Sequence, residues 1–266
     1  MAVHAHPDDE ATSTGGVLAR YSAEGVRTVL VTCTDGACGD GPGGAKPGEE
    51  GHHPAQVVEI RRRELEASCE VLGVRHLELL GYPDSGMMGW PQNDAPGSFW
   101  STPVAEPAAR LAALMEQYRP QVVVTYDANG FYGHPDHIQA HRVTMAAAEA
   151  TGIPAKVYYT TVRRSGRQHF AQRLRDAGLE LPWGDDGPPS DWGAPDEEID
   201  ACLEVSDFAD QKYEALAAHA SQSENIFFLR MGREIFAELM GSELFVRAVD
   251  STSAPVPEDD LFAGLR

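Results

Sequence analysis

The sequence predicts an α/β fold with a doubly wound, mostly parallel sheet flanked by helices, and three observations carry that expectation. Short β-branched runs such as Val26 to Thr32 and Gln121 to Tyr126 read as strands buried on both faces. Amphipathic stretches such as Ala55 to Leu72 fall between them, the strand–helix alternation of a Rossmann-like architecture. Turns rich in histidine and aspartate follow two of the strands, where an open α/β sheet presents its ligand sites.

Taken in order, Ala2 to Ala5 is a strand, and Gly15 to Gly25 is a helix carrying Val17, Leu18 and Tyr21 at helical spacing. Val26 to Thr32 is the second strand, and a Gly-rich loop runs from Thr34 to Pro54. Ala55 to Leu72 is a helix in which Val58, Leu65, Ala67 and Leu72 alternate with charge. His76 to Leu80 is the third strand, and Gly81 to Pro103 is a second long loop. Ala105 to Tyr118 is helical, Gln121 to Tyr126 is the fourth strand, His137 to Ala150 a helix and Lys156 to Val162 the fifth strand. Beyond Val162 the pattern is less regular. Phe170 to Ala177 reads as helix, Leu181 to Pro195 as loop and Cys202 to Val205 as strand. Two helices, Phe208 to Ala220 and Asn225 to Met240, precede a last strand, Leu244 to Val249, and a loose polar tail beyond Asp250. The expectation is one domain over residues 1–266, with 1–162 as its core and 163–266 shaping the pocket.

At 266 residues and 42% hydrophobic, the chain can bury a full core. Its 41 acidic against 21 basic residues leave a net charge of −20, which repels nucleic acid and anionic lipid and excludes both as expected partners. No stretch reaches the roughly 18 apolar residues that span a bilayer. Cys33, Cys38, Cys69 and Cys202 form no CxxC pattern and are read as thiols. Met1 runs almost at once into a strand, with no signal peptide, and a cytoplasmic location is expected.

The chemistry concentrates in two motifs. His4 to Glu10 reads HAHPDDE; Pro7 holds His6 extended and starts a turn that brings Asp9 near it. A histidine and an aspartate on one turn are two of the ligands a catalytic zinc uses, and Asp8 is left to act on its water. His134, Asp136, His137 and His141 gather after the fourth strand, preceded by Asp127 and Tyr132, and offer a third ligand. Either motif alone could be a helix cap; two at strand ends are hard to explain that way.

The AHPDDE at Ala5 to Glu10 and the YGHPDH at Tyr132 to His137 resemble the LmbE/PIG-L family of zinc-dependent deacetylases. The likeness extends to VTCTDG after the second strand, Arg61-x-x-Glu64-Leu65, Asp84-Ser85-Gly86-Met87, Thr125-Tyr126-Asp127-x-Asn129-Gly130 and Ala215-Leu216-x-x-His219-Ala220-Ser221-Gln222. Within that family it is similar to enzymes of mycothiol metabolism, the N-acetylglucosaminyl-inositol deacetylase and the S-conjugate amidase. The resemblance implies zinc on His6, Asp9 and His137, with Asp8 as the general base. It implies that His134 stabilises the oxyanion or protonates the leaving amine and that Tyr132 polarises the carbonyl. Arg61 and Asp84 match positions that hold the sugar or polyol. Iron(II) would tolerate the same ligands. Asp136 is expected to orient a histidine from behind, and His141 to lie on the surface. His52 and His53 read as solvated, and the Gly36 to Gly51 stretch as a flexible rim. Met87, Met88, Trp90 and Trp100 suit an apolar pocket as well as they suit loop packing, and His219 suits a site-supporting role as well as a satisfied helix histidine.

The expected function is zinc-dependent removal of an N-acetyl group from a small amino-sugar compound. The amidase branch carries a lysine shortly after HPDDE, and this chain has Ala11-Thr12-Ser13-Thr14 there, which favours the deacetylase branch. The alternatives are an amidase acting on thiol or natural-product conjugates and, last, a metal-binding sugar-recognition protein without turnover. The expected partner is a small N-acylated glucosaminide, and a homo-oligomer is compatible with the sequence.

Overall fold

The computed structural model describes residues 1–179, 189, 192–222 and 228–266. Most of the loop expected from Leu181 to Pro195 and the start of the helix expected from Asn225 lie outside the described residues.

Five parallel strands form the body of one seven-stranded sheet: β1 (Ala2–His4), β2 (Val29–Thr34), β3 (His76–Tyr82), β4 (Val122–Thr125) and β5 (Lys156–Thr161). Two more, β6 (Ala201–Glu204) and β7 (Ser242–Asp250), complete the order β3-β2-β1-β4-β5-β7-β6, with β7 antiparallel to both neighbours. The sheet is thus mostly parallel, as expected, and its less regular edge comes from the C-terminal part. Among the described residues the α-helices include α1 (Asp9–Ser13), α2 (Gly15–Ala23), α3 (Pro54–Leu72), α4 (Ala105–Tyr118), the short α5 (Gly130–Gly133), α6 (Pro135–Thr151), α7 (Arg167–Asp176), α8 (Ala209–Ala218) and one at Gly232–Met240.

Strand pleating sorts the core to two faces. Val29, Val31 and Cys33 of β2 join Leu111, Met115, Val143 and Ala147 under α4 and α6. Leu30, between them, joins Leu65, Leu72, Leu216 and Phe236 under α3 and α8. Strand order reverses across β1 and β4, so the crevice at their carboxyl ends is the topological switch point. Both motif loops leave those two strands. The sheet topology therefore joins what the sequence keeps apart.

Three expectations are corrected. Strand β2 begins at Val29 rather than Val26, because the Val26 N–H still closes α2 on Tyr21 O. On α3, Ala67 is exposed and Val58 only half-buried; the buried stripe is Val57, Arg61, Leu65, Ser68, Cys69 and Leu72, and it includes an arginine and a serine. The tail is pinned rather than loose. Glu258, fully buried, accepts from Lys156 Nζ at 2.6 Å, from Arg247 Nη1 at 2.8 Å and from the Tyr158 hydroxyl, while the Leu261 N–H donates to Tyr21 Oη. Glu258→Ala would leave the fully buried Lys156 ammonium without its carboxylate, a loss of about 3–5 kcal/mol. Denaturant unfolding reads this directly; a change under about 1 kcal/mol, the worth of an exposed pair, would mean the tail contributes no more than surface chain.

Candidate active site

Strand β1 delivers His6 to the crevice, and Pro7 turns the chain into α1. Asp8, at the turn, has φ 113° and ψ −25°, a left-handed conformation that a side-chain-bearing residue holds only under constraint. The turn closes by His6 N–H donating to Asp9 Oδ2 at 2.8 Å, and His6 Nδ1 lies 3.3 Å from the same oxygen.

The second motif is built on α5 and the start of α6. Asp127 Oδ1 accepts from the Asn129 and Phe131 N–H groups at 3.0 and 2.9 Å, which folds the turn. Gly130 sits at φ +64°, and a Cβ there would come 2.7 Å from His137 Cβ, so only glycine lets this turn lie on α6. His137 Nδ1 meets Gly130 O at 3.2 Å; that carbonyl only accepts, so Nδ1 donates there and Nε2 is the nitrogen turned toward the first motif. Nε2 is buried and has no hydrogen-bond partner among the described residues, and it lies 3.4 Å from Asp9 Oδ1. His134 caps α6, its Nδ1 accepting from Asp136 N–H at 3.2 Å, so in the neutral ring Nε2 holds the proton. Asp136 is fully buried; its Oδ2 accepts from Ser85 N–H at 2.9 Å and lies 3.2 Å from His6 Nε2. It backs the histidine of the other motif.

These residues fit a metal ion. Ligand atoms of His6, His134 and His137 lie within 4.8 Å of one another, as do those of His6, Asp84 and Asp136, and Asp9 faces both His6 and His137. A buried imidazole nitrogen without a hydrogen-bond partner, set beside a carboxylate, suits a metal ligand. His6 agrees: burial opposes its charge, yet Asp84, Asp136 and Asp9 outweigh burial and hold it protonated well above the usual range. Burial likewise opposes the charge on Asp9, but His137 and His6 keep it ionised well below the usual carboxylate range. A metal would take the place of the His6 proton. His134 is the opposite case, kept neutral by burial and by the neighbouring His6 and His137.

Asp8 faces the cleft with its side chain 19% exposed. Burial pushes its pKa up to about 6 against the opposing pull of Arg61, whose Nη2 donates to Asp8 Oδ2 at 2.9 Å. Arg61 is itself buried, and its guanidinium also donates to Pro7 O and Gly36 O. The Gly36 to Gly51 stretch therefore begins as packing around this group, since a Cβ at Gly36 would stand 2.5 Å from Arg61 Nη1. Asp84 is also buried, accepting from Cys38 and Gly86 N–H groups, with Oδ1 3.7 Å from His6 Nε2. Tyr132 is 52% exposed at the mouth, its ring 5.0 Å from that of His137. The cleft in front of these groups holds about 800 Å³, with Met87, Trp90, Phe131 and Trp192 among its apolar walls.

A family described as PIG-L, GlcNAc-PI de-N-acetylase, matches residues 1–148. The chain is 41% identical to the 1D-myo-inositol 2-acetamido-2-deoxy-alpha-D-glucopyranoside deacetylase of Geodermatophilus obscurus, over 100% of this chain and 97% of that one. It belongs to the PIG-L family. Two solved structures share the PIG-L fold seen here. The N,N'-diacetylchitobiose deacetylase of Pyrococcus horikoshii matches with TM-score 0.58 and 21% identity, covering 92% of this chain and 82% of that one. The 4-carboxy-2-hydroxymuconate hydratase of Pseudomonas putida matches with TM-score 0.61 and 19% identity, covering 96% and 98%. The fold thus carries more than one reaction, and the activity has to be argued from the site.

Around this PIG-L centre stand residues that the motifs contain but for which sequence alone suggests no role. Tyr126 stacks on His137 with ring centroids 4.1 Å apart and planes at 14°, and its hydroxyl accepts from Ala5 N–H at 2.9 Å. His4 Nδ1 meets the same hydroxyl at 3.2 Å, and Nε2 meets Thr14 Oγ1 at 2.8 Å. Both residues lie within quoted motifs, His4 opening the first and Tyr126 standing in the Thr125-Tyr126-Asp127 likeness, and that was the available signal. His141 is not plain surface, since Nδ1 reaches Tyr126 O at 3.0 Å. His52 is tied to Gly39 O at 3.0 Å, whereas His53 is exposed. Met87 and Trp90 line the cleft, while Trp100 packs under Arg142.

Proposed function

We propose that this protein is a metal-dependent N-deacetylase that hydrolyses the acetamide of an N-acetylglucosaminyl-inositol-type compound to acetate and free amine. The carrying observation is the meeting of both motif loops around His137 Nε2, which faces Asp9, with Asp8 lining the same cleft. His6, Asp9 and His137 would hold the ion, zinc or iron(II), which when bound polarises a carbonyl and makes water acidic near neutrality. Asp8 takes a proton from the attacking water as the C–O bond forms, and passes it to the nitrogen as the C–N bond breaks. Of the two roles open to His134, its geometry favours the oxyanion donor. It is neutral, its Nδ1 is engaged by Asp136 N–H, and Nε2–H is left to donate. Tyr132, exposed at the mouth, can close on the carbonyl oxygen from the other side. Arg61 holds Asp8 and, with Asp84, frames the sugar end of the cleft. No helix among the described residues is long and apolar enough to cross a membrane, and a cytoplasmic location is part of this reading.

The substrate in the name of the Geodermatophilus relative and the end-to-end match with it support the inositol compound. The size and aromatic walls of the cleft favour a second reading, an amidase on a larger thiol or natural-product conjugate. Amine release from N-acetylglucosaminyl-inositol and from N-acetylglucosamine, by zinc-loaded protein and a chelated control, tests both. Metal-dependent release is expected, faster with the inositol present; silence on both with zinc bound would overturn the deacetylase reading.

A further inference from the structure

Glu10 is fully buried beneath the first motif, and none of the roles above uses it. Its Oε2 accepts from the backbone N–H of Asp8 at 2.9 Å. Its Oε1 accepts from Ser68 Oγ at 2.6 Å and lies 2.6 Å from His219 Nε2, itself 1% exposed. Ser68 comes from the buried stripe of α3, and His219 from the end of α8, 209 positions along the chain. The two residues after Ala220 extend the same anchor. Ser221 N–H and Oγ donate to the Glu64 carboxylate at 2.8 and 2.6 Å, and Gln222 Oε1 accepts from Asp40 N–H at 3.1 Å.

A buried carboxylate–imidazole pair can be simple core structure. Here it grips the one residue of the motif whose backbone is left-handed without being glycine. A strained conformation persists only when its surroundings over-determine it, and at Asp8 two buried groups do so: Arg61 from the side chain and Glu10 from the main chain.

We propose that Glu10 and His219 are positioning residues that fix Asp8 in its left-handed turn and so aim its carboxylate at the attacking water. This rests on the reading of Asp8 as the base. The grip predicts a loss seen only while Asp8 is present.

The test measures kcat, KM and bound zinc for Glu10→Ala, Glu10→Gln and His219→Ala, each made with Asp8 and with Asp8→Ala. With Asp8 present, Glu10→Ala is expected to lower kcat by about 100-fold, the cost of roughly 1 Å of misplacement, with KM and zinc content unchanged. Glu10→Gln should recover most of that loss, because an amide oxygen can still accept from Asp8 N–H while its NH₂ turns to His219. In the Asp8→Ala background the same changes should add nothing. Losses that persist there, or that track zinc content, would overturn the proposal in favour of a purely structural pair. If Asp8→Ala alone retains turnover, the base reading fails instead. Should Glu10→Ala not fold, His219→Ala, which keeps the Glu10–Asp8 bond but removes one anchor, carries the same comparison.

Discussion

Asp8→Asn is expected to keep its metal and lose turnover, by about 10²–10⁴-fold in kcat, the usual worth of a positioned base. The replacement is nearly isosteric, so the hydrogen bond from Arg61 can persist on the amide oxygen and the turn held by Glu10 is undisturbed. What disappears is the lone pair that takes the proton. Parallel measurement of kcat and bound zinc checks this, and activity within tenfold of the parent would remove Asp8 from the mechanism. The pH profile of the parent gives a second reading. Burial raises the Asp8 pKa to about 6, and only the ionised form accepts a proton, so activity should climb with pH through that region. A bound cation nearby pulls the carboxyl pKa down, which puts the acidic limb at or below pH 6 rather than above it.

His137→Ala is expected to lose the metal itself, and activity with it. The substitution deletes the Nε2 that faces Asp9 and leaves that carboxylate without the imidazole that keeps it ionised. Asp136→Asn supplies the scale. It weakens only the support behind His6, for which roughly 10–100-fold in metal affinity is usual, and His137→Ala should exceed that. Zinc titration followed by competition with a chelator measures both. Equal affinities for His137→Ala and the parent would move the ligand set to the neighbouring cluster of His6, Asp84 and Asp136.

The parts of this molecule that were legible in the sequence are those governed by local pattern. Runs such as Val122–Thr125 declare a strand because every residue is buried and three are β-branched valines, and the HPD turns declare themselves by proline and short polar side chains. Arg61 was legible as a site residue through family likeness, yet its partner was not. That a helix arginine should reach the main chain of Pro7 depends on how α3 lies on the sheet, which periodicity cannot convey. The same holds for Tyr126 under His137, for His219 on Glu10 and for Glu258 on Lys156. The first is a ring stack whose geometry no local pattern conveys. The last two are polar contacts closed over 209 and 102 positions, hidden because hydropathy marks such residues as exposed. The tail after Asp250 looked loose for that reason alone.

The switch point between β1 and β4 has one more consequence, for the order of events as the chain folds. Paired groups such as His6 and Asp136 lie 130 positions apart, so bringing them together closes a loop longer than many whole domains. A fragment ending with β4 would own His6 and Asp9 but not His137. In the proposed ligand set, coordination is therefore a property of the finished sheet. On that reading an ion meets all three ligands only once β1 and β4 lie side by side.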